Sequence, residues 1–471
     1  MRRVETAVTV STERLARAIP RDIHSLCQRL HEAGFRGWAV GGSVRDELLR
    51  DLSAAPPADA DWDVATSAKP EQVMALFPRV IPTGIEHGTV TVMLGKTGYE
   101  VTTLRGETGY SDGRRPDSVY FVDDIVADLA RRDFTINAIA YDVLDDRLID
   151  PFDGSVDLKA RILRAVGDPA ERFREDDLRV LRAARFVATL EVELEPATAR
   201  AIAPSLDSYR QVSAERIRDE WLKTMKARQP SRAFEVMREH GLLAITAPEL
   251  LESVGVEQNR HHHYDVWTHA LKCLDGCPRL PTLRVAGLIH DIGKPRTRAF
   301  SDKTQDYTFY QHERVGAEMA DPLLSRLRFS NADRARIVAL VRHHLLCYDQ
   351  SWSDAAVRRW LRRVTPELAE DLYRLGEADV LAKGRDASDD LAQIAALREH
   401  VARVVAAGAA LNLQDLKING RDLSTELGLR PGPKFGEILR VLLDEVVEDP
   451  SRNTRESLLA RAAELAAAPA R

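Results

Sequence analysis

The sequence predicts an α/β head, built on a small mixed sheet with helices, followed by an all-α body. Between residues 36 and 150, short β-patterned runs alternate with helical ones, a pattern typical of a mixed fold. From about Lys159 onward the strand signals end, and helical periodicity continues almost to the C-terminus. A chain of 471 residues also exceeds the ~100–200 residues of one domain, so several separate cores are expected.

Changes in pattern divide the chain into five predicted segments. Gly255 precedes a histidine-rich stretch, and a charged segment at 383–386 separates two further helical runs. The predicted segments are an N-terminal extension (1–35), a head (36–160), a helical neck that binds RNA and the incoming base (161–254), a histidine-rich helical module (255–385) and a C-terminal helical tail domain (386–471).

Composition narrows the class of protein. The chain lacks a run of ~20 apolar residues and an apolar signal core, so the sequence predicts a soluble, cytoplasmic protein without a membrane segment. Its four cysteines are too few for a disulfide scaffold and are expected to be reduced packing residues. A net charge of −6 leaves nucleic-acid binding open, because basic residues can still cluster on one face.

The head contains five predicted strands. They are GWAVGG (37–42), DWDVAT (61–66), RVIPTG (79–84), GTVTVML (88–94) and YEVTTLR (99–105). The last two alternate apolar and polar residues and flank a turn that contains Gly95 and Gly98, which predicts a hairpin.

Two carboxylates stand two residues apart in the second predicted strand. Asp61 and Asp63 would project from one face of a strand, and Glu100 would add a third carboxylate if its strand is a neighbour. Three carboxylates suit a pair of Mg²⁺ ions, which activate a 3′-hydroxyl and stabilise a leaving pyrophosphate. The pattern therefore predicts three catalytic residues, the alternative being an acidic strand edge without a metal.

A glycine-rich junction between a strand and a helix lies shortly before these carboxylates. Gly41, Gly42 and Ser43 form the turn, and glycine permits close approach of the backbone to a triphosphate. The helix N-terminus favours anions, and the Arg45 guanidinium can hold a phosphate. The junction predicts nucleotide binding, although similar turns occur at many strand–helix junctions.

Further motifs follow in order along the chain. They are DGRRPD (112–117), RRDFTINA (131–138), EDDLR (175–179) continuing into LRAARF (181–186), and SAERI (213–217). Together with GGSVRD (41–46) and DWD (61–63), this series resembles the class II tRNA nucleotidyltransferases, the CCA-adding enzymes, and their relatives the bacterial poly(A) polymerases. The resemblance implies Mg²⁺ in the head, ATP and CTP as substrates and the 3′ end of tRNA as acceptor.

The resemblance also implies roles for individual residues. Arg132 and Asp133 would lie near the triphosphate or ribose of the bound nucleotide. Asp176 and Arg179 would read the incoming base, because Asp accepts from an exocyclic amine and Arg donates to ring acceptors. Their spacing of three residues predicts one helix face.

Two open questions follow from the next motifs. Arg182 and Arg185 continue the same face as a basic stripe for phosphate, the alternative being a solvated helix surface. The glycine-rich segment at 105–114 resembles a flexible loop that the family associates with addition of the terminal A, which argues against a CC-only enzyme. Full CCA addition, A-only addition and poly(A) synthesis stay open.

The histidine-rich module resembles the HD phosphohydrolase superfamily. The pair His290-Asp291 follows an apolar helical run, and His269 stands 21 residues upstream. The superfamily binds a metal through such a set together with a distant aspartate, here Asp379. The mixed nitrogen and oxygen ligands suit Mn, Ni, Fe or Mg. Further candidates for a second ion are His312, His343 and His344.

The two halves of the sequence support different functions. The preferred prediction is CCA addition to tRNA by the head, with a second, phosphohydrolase activity implied for the HD-type module. The alternative of another class is a metal phosphohydrolase with an RNA-binding head, and a non-catalytic RNA-binding scaffold would leave the convergent carboxylates unexplained. The segment at 418–433 resembles the closing helical element of the family, with a role in support or tRNA contact.

Overall fold

The computed structural model describes residues 13–53, 61–85, 88–108 and 118–467. The chain forms two compact units, Met1–Thr246 and Ala247–Arg471. The finer predicted boundaries at 35, 160, 254 and 385 stay predictions. The predicted motif at 112–117 and the end of the predicted loop at 109–114 lie outside the described residues.

The first unit combines a sheet with helices. Its strands are β1 (Gly37–Val40), β2 (Asp63–Thr66), β3 (Val80–Gly84), β4 (Thr89–Leu94), β5 (Thr97–Thr103), β6 (Arg105–Thr108), β7 (Ser118–Phe121), β8 (Ala140–Asp142), β9 (Arg147–Ile149), β10 (Ile162–Leu163) and β11 (Glu193–Leu194). Its helices are α1 (Glu13–Ala18), α2 (Arg21–Glu32), α3 (Gly42–Ser53), α4 (Pro70–Leu76), α5 (Ile125–Ala130), α6 (Gly154–Ala160), α7 (Pro169–Glu175), α8 (Arg179–Thr189), α9 (Pro196–Arg200), α10 (Leu206–Tyr209), α11 (Ala214–Thr224), α12 (Ser231–Glu239) and α13 (Leu242–Thr246).

The main sheet is mixed, as the sequence predicts. Its strand order is β3-β4-β5-β2-β1-β8-β9. Strands β2 and β5 run parallel, and the other neighbouring pairs run antiparallel. The predicted hairpin is confirmed as β4 and β5, in which Leu94 pairs with Thr97. The parallel pair brings the two predicted acidic strands side by side, which is the condition that the sequence left open for Glu100.

The residues before the head pack on it. Helix α2 carries apolar side chains at the spacing of an amphipathic helix, and Ile23, Leu26, Cys27 and Leu30 are all buried. The helix contacts β1. This part of the predicted extension therefore contributes to the core of the first unit.

Short strands appear where the sequence predicts none. Beyond Lys159, β10 pairs with β11 in parallel, and two further strands pair in the second unit. Residues 105–108 were expected to be loop, but they form β6, which pairs with β7. These strands have two to four residues, too few for a period of two to stand out from the surrounding pattern.

The second unit is almost entirely helical. Its helices are α14 (Pro248–Leu251), α15 (Val266–Gly276), α16 (Pro281–Ile289), α17 (Lys294–Thr297), α18 (His312–Arg326), α19 (Asn331–His343), α20 (Asp354–Val364), α21 (Pro366–Ala382), α22 (Ser388–Ala406), α23 (Gly420–Leu427), α24 (Pro433–Glu448) and α25 (Arg455–Ala467). A small hairpin joins β12 (Ala299–Ser301) to β13 (Asp306–Thr308). Helix α15 packs on α16 and α21, and α18 packs on α19.

The predictions about membrane segments and about cysteines can be compared with the structure. Across the described ranges, every helix is too short or too polar to cross a bilayer. Cys27, Cys273 and Cys277 are buried and unbridged, as expected of packing residues. Cys347 is exposed, so the packing role predicted for it was wrong.

Candidate functional site

A cavity of about 640 Å³ opens in the first unit, at the end of β1 where the chain turns into α3. Of the predicted site residues, it is lined by Gly41, Gly42, Arg45, Asp63, Glu100, Arg132, Asp133, Asp176, Arg179, Arg182 and Arg185. Residues separated by more than 140 positions in the chain are thus collected around one space, and two of the predicted residues, Asp61 and Ser43, are not part of its lining.

The acidic side of the cavity is built by adjacent strands. Asp63 is the register partner of Val40 on one side and of Glu100 on the other. Gly41 has φ +83°, and a Cβ placed there would lie 3.1 Å from Asp63 Oδ2. Glycine is therefore required for the backbone conformation and for the close approach of the carboxylate.

The environment of Asp63 favours a bound cation. Burial and the nearby charges of Glu100 and Asp61 raise the pKa of Asp63 to about 6, although Arg132 acts in the opposite direction. Carboxylates that repel one another in this way bind hard cations such as Mg²⁺ well, because the cation removes the repulsion. The donor set therefore fits Mg²⁺.

Asp61 differs from its predicted position. Strand β2 begins at Asp63, so Asp61 precedes the strand, and its side chain is exposed. Its backbone carbonyl accepts a hydrogen bond from the Ser43 hydroxyl. Among the described residues, the sets of three ligand atoms within 4.8 Å of one another lie elsewhere, in the second unit. Mg²⁺ commonly binds through one or two carboxylates and completes its shell with substrate phosphate oxygens.

The cavity is also lined by basic side chains, and hydrogen bonds hold them firmly. Arg45 Nη1 donates to Asn137 Oδ1 at 2.7 Å, and Arg45 Nε donates to Asp46 Oδ1 at 2.7 Å. Asn137 Nδ2 donates in turn to Asp133 Oδ1 at 2.9 Å. A guanidinium oriented in this way beside the start of α3 can bind phosphate without first losing conformational entropy.

Asp133 is an anchor of this network rather than a free nucleotide ligand. Its Oδ2 accepts from Arg182 Nε at 2.8 Å and from Arg182 Nη2 at 2.6 Å. Burial alone would raise the pKa of Asp133, but the Arg182 charge, the Asn137 hydrogen bond and the Arg179 charge outweigh it and hold the pKa below its ordinary value. The carboxylate thus joins the RRDFTINA segment to α8.

Removal of this charge is expected to destabilise the first unit. We predict that Asp133→Asn lowers the free energy of unfolding by about 3 kcal/mol, because it leaves the Arg182 charge without its partner. Since the folded-state pKa of Asp133 is depressed, the stabilisation is present at neutral pH and is lost as the pH falls below about 4. Urea unfolding at pH 7 and pH 3.5 measures both effects. The exposed Asp207→Asn is the control, expected within about 0.5 kcal/mol of wild type.

Asp176 and Arg179, the predicted base-reading pair, do not lie on one continuous helix as predicted. Asp176 lies in the break between α7 and α8, whereas Arg179 begins α8, so the two do not share one helix face. The Asp176 carboxylate accepts from Arg216 Nη2, at 2.9 Å to each oxygen. Arg179 donates to Glu175 Oε2 at 2.6 Å and to the Arg131 carbonyl at 2.9 Å. Both side chains line the cavity, each oriented by a partner of its own.

Arg182 and Arg185 both line the cavity, and each is also paired with a carboxylate of the protein, so their role as a phosphate-binding stripe stays a prediction. Arg182 pairs with Asp133, and Arg185 Nε donates to Glu220 Oε2 at 2.5 Å. The Arg185 guanidinium also stacks on the Phe186 ring, 3.9 Å from its centroid. Their positive charges are largely balanced within the protein, so their first effect is to fix α8 against the rest of the unit.

Several lining residues were not singled out from the sequence. They are Arg105, Asp128, Arg131, Phe186 and Lys223. Asp128 is buried and contacts Arg131 at 2.7 Å and Arg132 at 3.5 Å. Asp128 stands three and four residues before these arginines, the spacing of ion pairs on one helix face, so the sequence alone could have predicted both contacts.

A second candidate site lies in the second unit, where five helices meet. His269 lies one turn into α15, whose start is capped by Asp265, and His290 ends α16. His269 Nε2 is 3.2 Å from His290 Nε2, 3.3 Å from Asp291 Oδ2 and 3.0 Å from Asp379 Oδ1. His290 Nε2 is 3.1 Å from Asp291 Oδ2. The predicted HD-type ligands therefore converge.

Two of the three further histidines join this cluster. His312 Nε2 lies 3.2 Å from Asp291 Oδ1, and His344 Nε2 lies 3.7 Å from the same atom. His343 is not in either group of converging ligand atoms among the described residues. Its prediction as a ligand therefore finds no geometric support, because successive residues of a helix point about 100° apart.

The surroundings of the cluster are polar and positively charged. Lys294 Nζ lies 2.6 Å from Asp291 Oδ2 and donates to Gln258 Oε1 at 2.6 Å. Burial opposes the charged form of His290, but Asp291 and Asp379 outweigh it and raise the pKa of His290 to about 10. Burial and the His290 charge lower the pKa of His344 to about 3. Lys294 was not predicted as a site residue, and its ammonium contacts the predicted ligand Asp291.

The cluster opens into a cavity of about 340 Å³. Its lining includes Asp291, Asp379, Lys294 and His262. The His262 ring contacts that of His269 edge-on, with centroids 5.1 Å apart. No role in the site was predicted for His262, yet it lines the cavity beside the ligands.

Family profiles match three stretches of the chain. The profile described as "Poly A polymerase head domain" matches residues 37–164, and the one described as "Probable RNA and SrmB- binding site of polymerase A" matches 191–253. A "tRNA nucleotidyltransferase domain 2" profile matches 300–462. The first of these covers the sheet and the acidic side of the cavity.

Individual relatives extend the match. The CCA-adding enzyme of Lactobacillus johnsonii is 47% identical over 216 residues, 46% of this chain, and the match spans about half of that relative, 52% of its length. The CCA-adding enzyme of Limosilactobacillus fermentum is 34% identical over 448 residues, 93% of this chain and 96% of that protein. The A-adding tRNA nucleotidyltransferase of Deinococcus radiodurans is 36% identical over 427 residues, 86% of this chain and 90% of that protein. The chain belongs to the class II tRNA nucleotidyltransferase family.

A solved structure supports the same relationship. The crystal structure of the Bacillus stearothermophilus CCA-adding enzyme in complex with CTP has a TM-score of 0.68 and 27% identity, and it covers 93% of this chain and 95% of that chain. The tRNA nucleotidyltransferase family thus accounts for the motifs of the head and for the helices that follow. The HD-type assignment of the histidine cluster stays a prediction.

Proposed function

We propose that the chain adds C, C and A to the 3′ end of tRNA without a nucleic-acid template, using CTP and ATP. The observation that carries the proposal is the cavity that is lined together by the Asp63 and Glu100 register pair, the turn at Gly41 and the base-reading candidates Asp176 and Arg179. We also propose that the enzyme acts in the cytoplasm, because its substrates would be an RNA end and nucleoside triphosphates. Relatives named CCA-adding and A-adding both support the family chemistry, so A-only addition and poly(A) synthesis are the alternatives.

The proposed reaction is a phosphoryl transfer. The 3′-hydroxyl oxygen of the RNA forms a bond to the α-phosphorus, the bond to the β-phosphate oxygen breaks, and pyrophosphate leaves while the hydroxyl loses its proton. Asp63 and Glu100 would hold Mg²⁺ together with triphosphate oxygens, and bound Mg²⁺ supplies stabilisation of negative charge on the reacting phosphates. Arg45 and the start of α3 orient the triphosphate, and Arg132 adds positive charge beside it.

Selection of the base would depend on Asp176 and Arg179. Together they offer an acceptor and a donor to the hydrogen-bonding edge of the base, which matches the amine and ring nitrogen of C and of A. Arg216 orients Asp176, and Glu175 orients Arg179. A rigid pair of this kind rejects uracil and guanine, which present a carbonyl where C and A present an amine.

Loss of Arg216 is expected to weaken base selection. Arg216→Ala removes the charge-assisted contact that orients Asp176, so kcat/KM for CTP and ATP should fall about 10- to 100-fold while UTP is affected less. Single-nucleotide incorporation with each triphosphate measures the ratio of kcat/KM for CTP to kcat/KM for UTP. Arg216→Lys should recover part of the preference, and Arg210→Ala, at an exposed pair, should leave it unchanged. An unchanged CTP-to-UTP ratio in Arg216→Ala would contradict the positioning role.

The choice of tRNA as acceptor is tested by competition. The purified protein is incubated with Mg²⁺, CTP, ATP and equal amounts of a tRNA transcript lacking CCA and an unstructured RNA of the same length. We expect the tRNA to gain three nucleotides and the unstructured RNA none, because a folded acceptor stem is recognised by shape and backbone contacts. Long A tails on both RNAs would instead assign the chain as a poly(A) polymerase.

A second activity is proposed for the second unit, on the observation of converging ligands at His269, His290, Asp291 and Asp379. We propose a metal-dependent phosphohydrolase, in which water adds its oxygen to a phosphate ester and the alcohol leaves with a proton. The mixed imidazole and carboxylate set fits a first-row divalent ion, which supplies Lewis acidity when bound. Lys294, which lines the same cavity, can bind the phosphate. Release of phosphate from p-nitrophenyl phosphate in the presence of Mn²⁺ or Ni²⁺ tests the activity, and no release with either ion would exclude it.

A further inference from the structure

Three guanidinium groups surround the ring of Phe186, a buried residue that lies in the wall of the cavity of the first unit. The central carbon of each guanidinium lies over the ring, 3.9 Å from its centroid for Arg185, 5.3 Å for Arg182 and 5.4 Å for Arg45. The Phe134 ring adds an edge-to-face contact, with centroids 5.6 Å apart. Phe186 therefore lies where the motifs GGSVRD, RRDFTINA and LRAARF meet.

The three positive charges are crowded in a place with little water. Arg45 is 9% exposed. Burial and the neighbouring Arg182 charge lower the pKa of the Arg185 guanidinium, whereas Glu220 acts in the opposite direction. Like charges at this distance disfavour each other's charged form. An aromatic ring offsets the repulsion, because the faces of its π-system are negative, and an aliphatic side chain has no such property.

Arg45 differs from the other two arginines in how its charge is balanced. The other two are each paired with a buried carboxylate. Arg45 contacts the neutral amide of Asn137 and the carboxylate of Asp46, whose side chain is 52% exposed and therefore screened by water. The positive charge of Arg45 stays available to a triphosphate, and the ring can hold the guanidinium without neutralising it.

The contact between the ring and Arg45 also joins two helices that would bind different parts of the nucleotide. Helix α3 carries Arg45 in its first turn, beside the turn at Gly41. Helix α8 begins with the base-reading candidate Arg179 and carries Phe186 about two turns later. The contact therefore fixes the triphosphate-binding arginine relative to the base-reading helix, and an error of about 1 Å in such positioning can cost about 10²-fold in rate.

We propose that Phe186 is a positioning residue for nucleotide addition, whose ring holds Arg45 by a cation–π contact in the orientation that binds the triphosphate. The inference rests on the proposed nucleotidyltransferase function. The ring has neither a hydrogen-bond donor nor a charge to offer the nucleotide, so it acts through the guanidinium that it orients.

The test changes the charge distribution of the ring and keeps its shape. Phenylalanine carrying one, two or three fluorine atoms is introduced at position 186 of the full-length protein, and the Kd for ATP with Mg²⁺ is measured by calorimetry. Fluorine withdraws electron density from the π-faces, so we expect the Kd to rise at each step and to reach about 10-fold with three fluorines. Phe186→Leu, which removes the ring, should raise the Kd at least as much, and circular dichroism reports whether it folds.

The matched control is the same fluorinated series at Phe234. This buried ring packs edge-on against Trp221, with centroids 5.0 Å apart, and it is absent from the cavity lining that the structure describes. Its Kd for ATP should stay within about twofold of wild type. The series at 186 is also repeated in Arg45→Met. There the Kd should be raised but constant, because the ring no longer has a triphosphate-binding cation to hold.

The outcomes separate the positioning role from the proposed function. A constant Kd across the series at 186 would overturn the role of the ring. A rise that persists in Arg45→Met, as direct stacking of the ring on the base would produce, would overturn it too. Incorporation of ATP into a tRNA that ends in CC is followed on the same proteins. Normal incorporation with a constant Kd would retain nucleotide addition and reject the positioning role. A rising Kd without incorporation in wild type would support the contact with Arg45 and overturn nucleotide addition.

Discussion

Asp63→Ala is expected to lower nucleotide addition to tRNA by at least about 10³-fold. Asp63 lies in register between Val40 and Glu100, faces the turn at Gly41, and has a pKa raised to about 6 by burial and by neighbouring carboxylates. Stabilisation of charge on the reacting phosphates is the largest single contribution to such a reaction. Incorporation of labelled ATP into a tRNA that ends in CC, under single-turnover conditions, measures the loss.

Two controls make this prediction specific. Asp123→Asn changes an exposed carboxylate of the same unit outside the cavity lining, and its rate should stay within about twofold of wild type. Hydrolysis of p-nitrophenyl phosphate by Asp63→Ala should also be unchanged, since the histidine cluster belongs to the second unit. An Asp63→Ala protein that retains more than a tenth of wild-type incorporation would contradict the catalytic role of this carboxylate.

Asp291→Ala is expected to lower phosphate release and to leave nucleotide addition to tRNA intact, the reverse of Asp63→Ala. Asp291 contacts ligand atoms of both histidine groups and the Lys294 ammonium, so its loss should abolish metal binding at the cluster. Phosphate release should fall at least about 10²-fold, and CCA addition should stay within about twofold of wild type. Phosphate release and tRNA extension are measured on the same preparation.

The control for Asp291→Ala is His343→Ala. It removes an imidazole at the end of α19 that belongs to neither group of ligand atoms among the described residues. Its metal content and phosphatase rate should match those of wild type. Loss of both activities in Asp291→Ala, with a folded protein, would show that the two activities depend on one site and would count against two independent centres.

The sequence predicts five of the seven strands of the main sheet, because the signals of these strands are local. The hairpin of β4 and β5 follows from alternation around a glycine-containing turn, whereas the parallel pairing that brings Asp63 beside Glu100 was left open and is seen only in the folded sheet. The break at Asp176 was missed, since the spacing of Asp176 and Arg179 fits a continuous helix equally well. Only the contact with Arg216, 40 residues away, shows that the carboxylate is held from another helix.

The arginines of α8 illustrate a second limit. A stripe of basic residues at helical spacing is compatible with solvent, phosphate or buried partners, and the partners of Arg182 and Arg185 are 49 and 35 residues distant. No pattern within the helix identifies Asp133 or Glu220 as those partners. Long-range ion pairs of this kind arise from packing and are read only from the folded chain.

The histidine cluster was predicted in part, and the sequence could have decided between His343 and His344 as the ligand. His344 continues the buried stripe of α19 at Ile337, Leu340 and Val341, with steps of three, four and seven residues, whereas His343 does not. Helical phase alone therefore favours His344. The contact of Asp291 with His344 could not be predicted, because it requires the ends of α16 and α19 to meet.

The central claim is tested most directly with three tRNA transcripts that end before CCA, after CC, or with CCA complete. Each is incubated with Mg²⁺ and the purified protein, with CTP and ATP offered separately and together, and the products are resolved at single-nucleotide length. We expect three additions to the first, one A to the second and none to the third. Addition of A to the second transcript alone would show an A-adding enzyme. The absence of any addition would contradict the account and move the function to the histidine cluster.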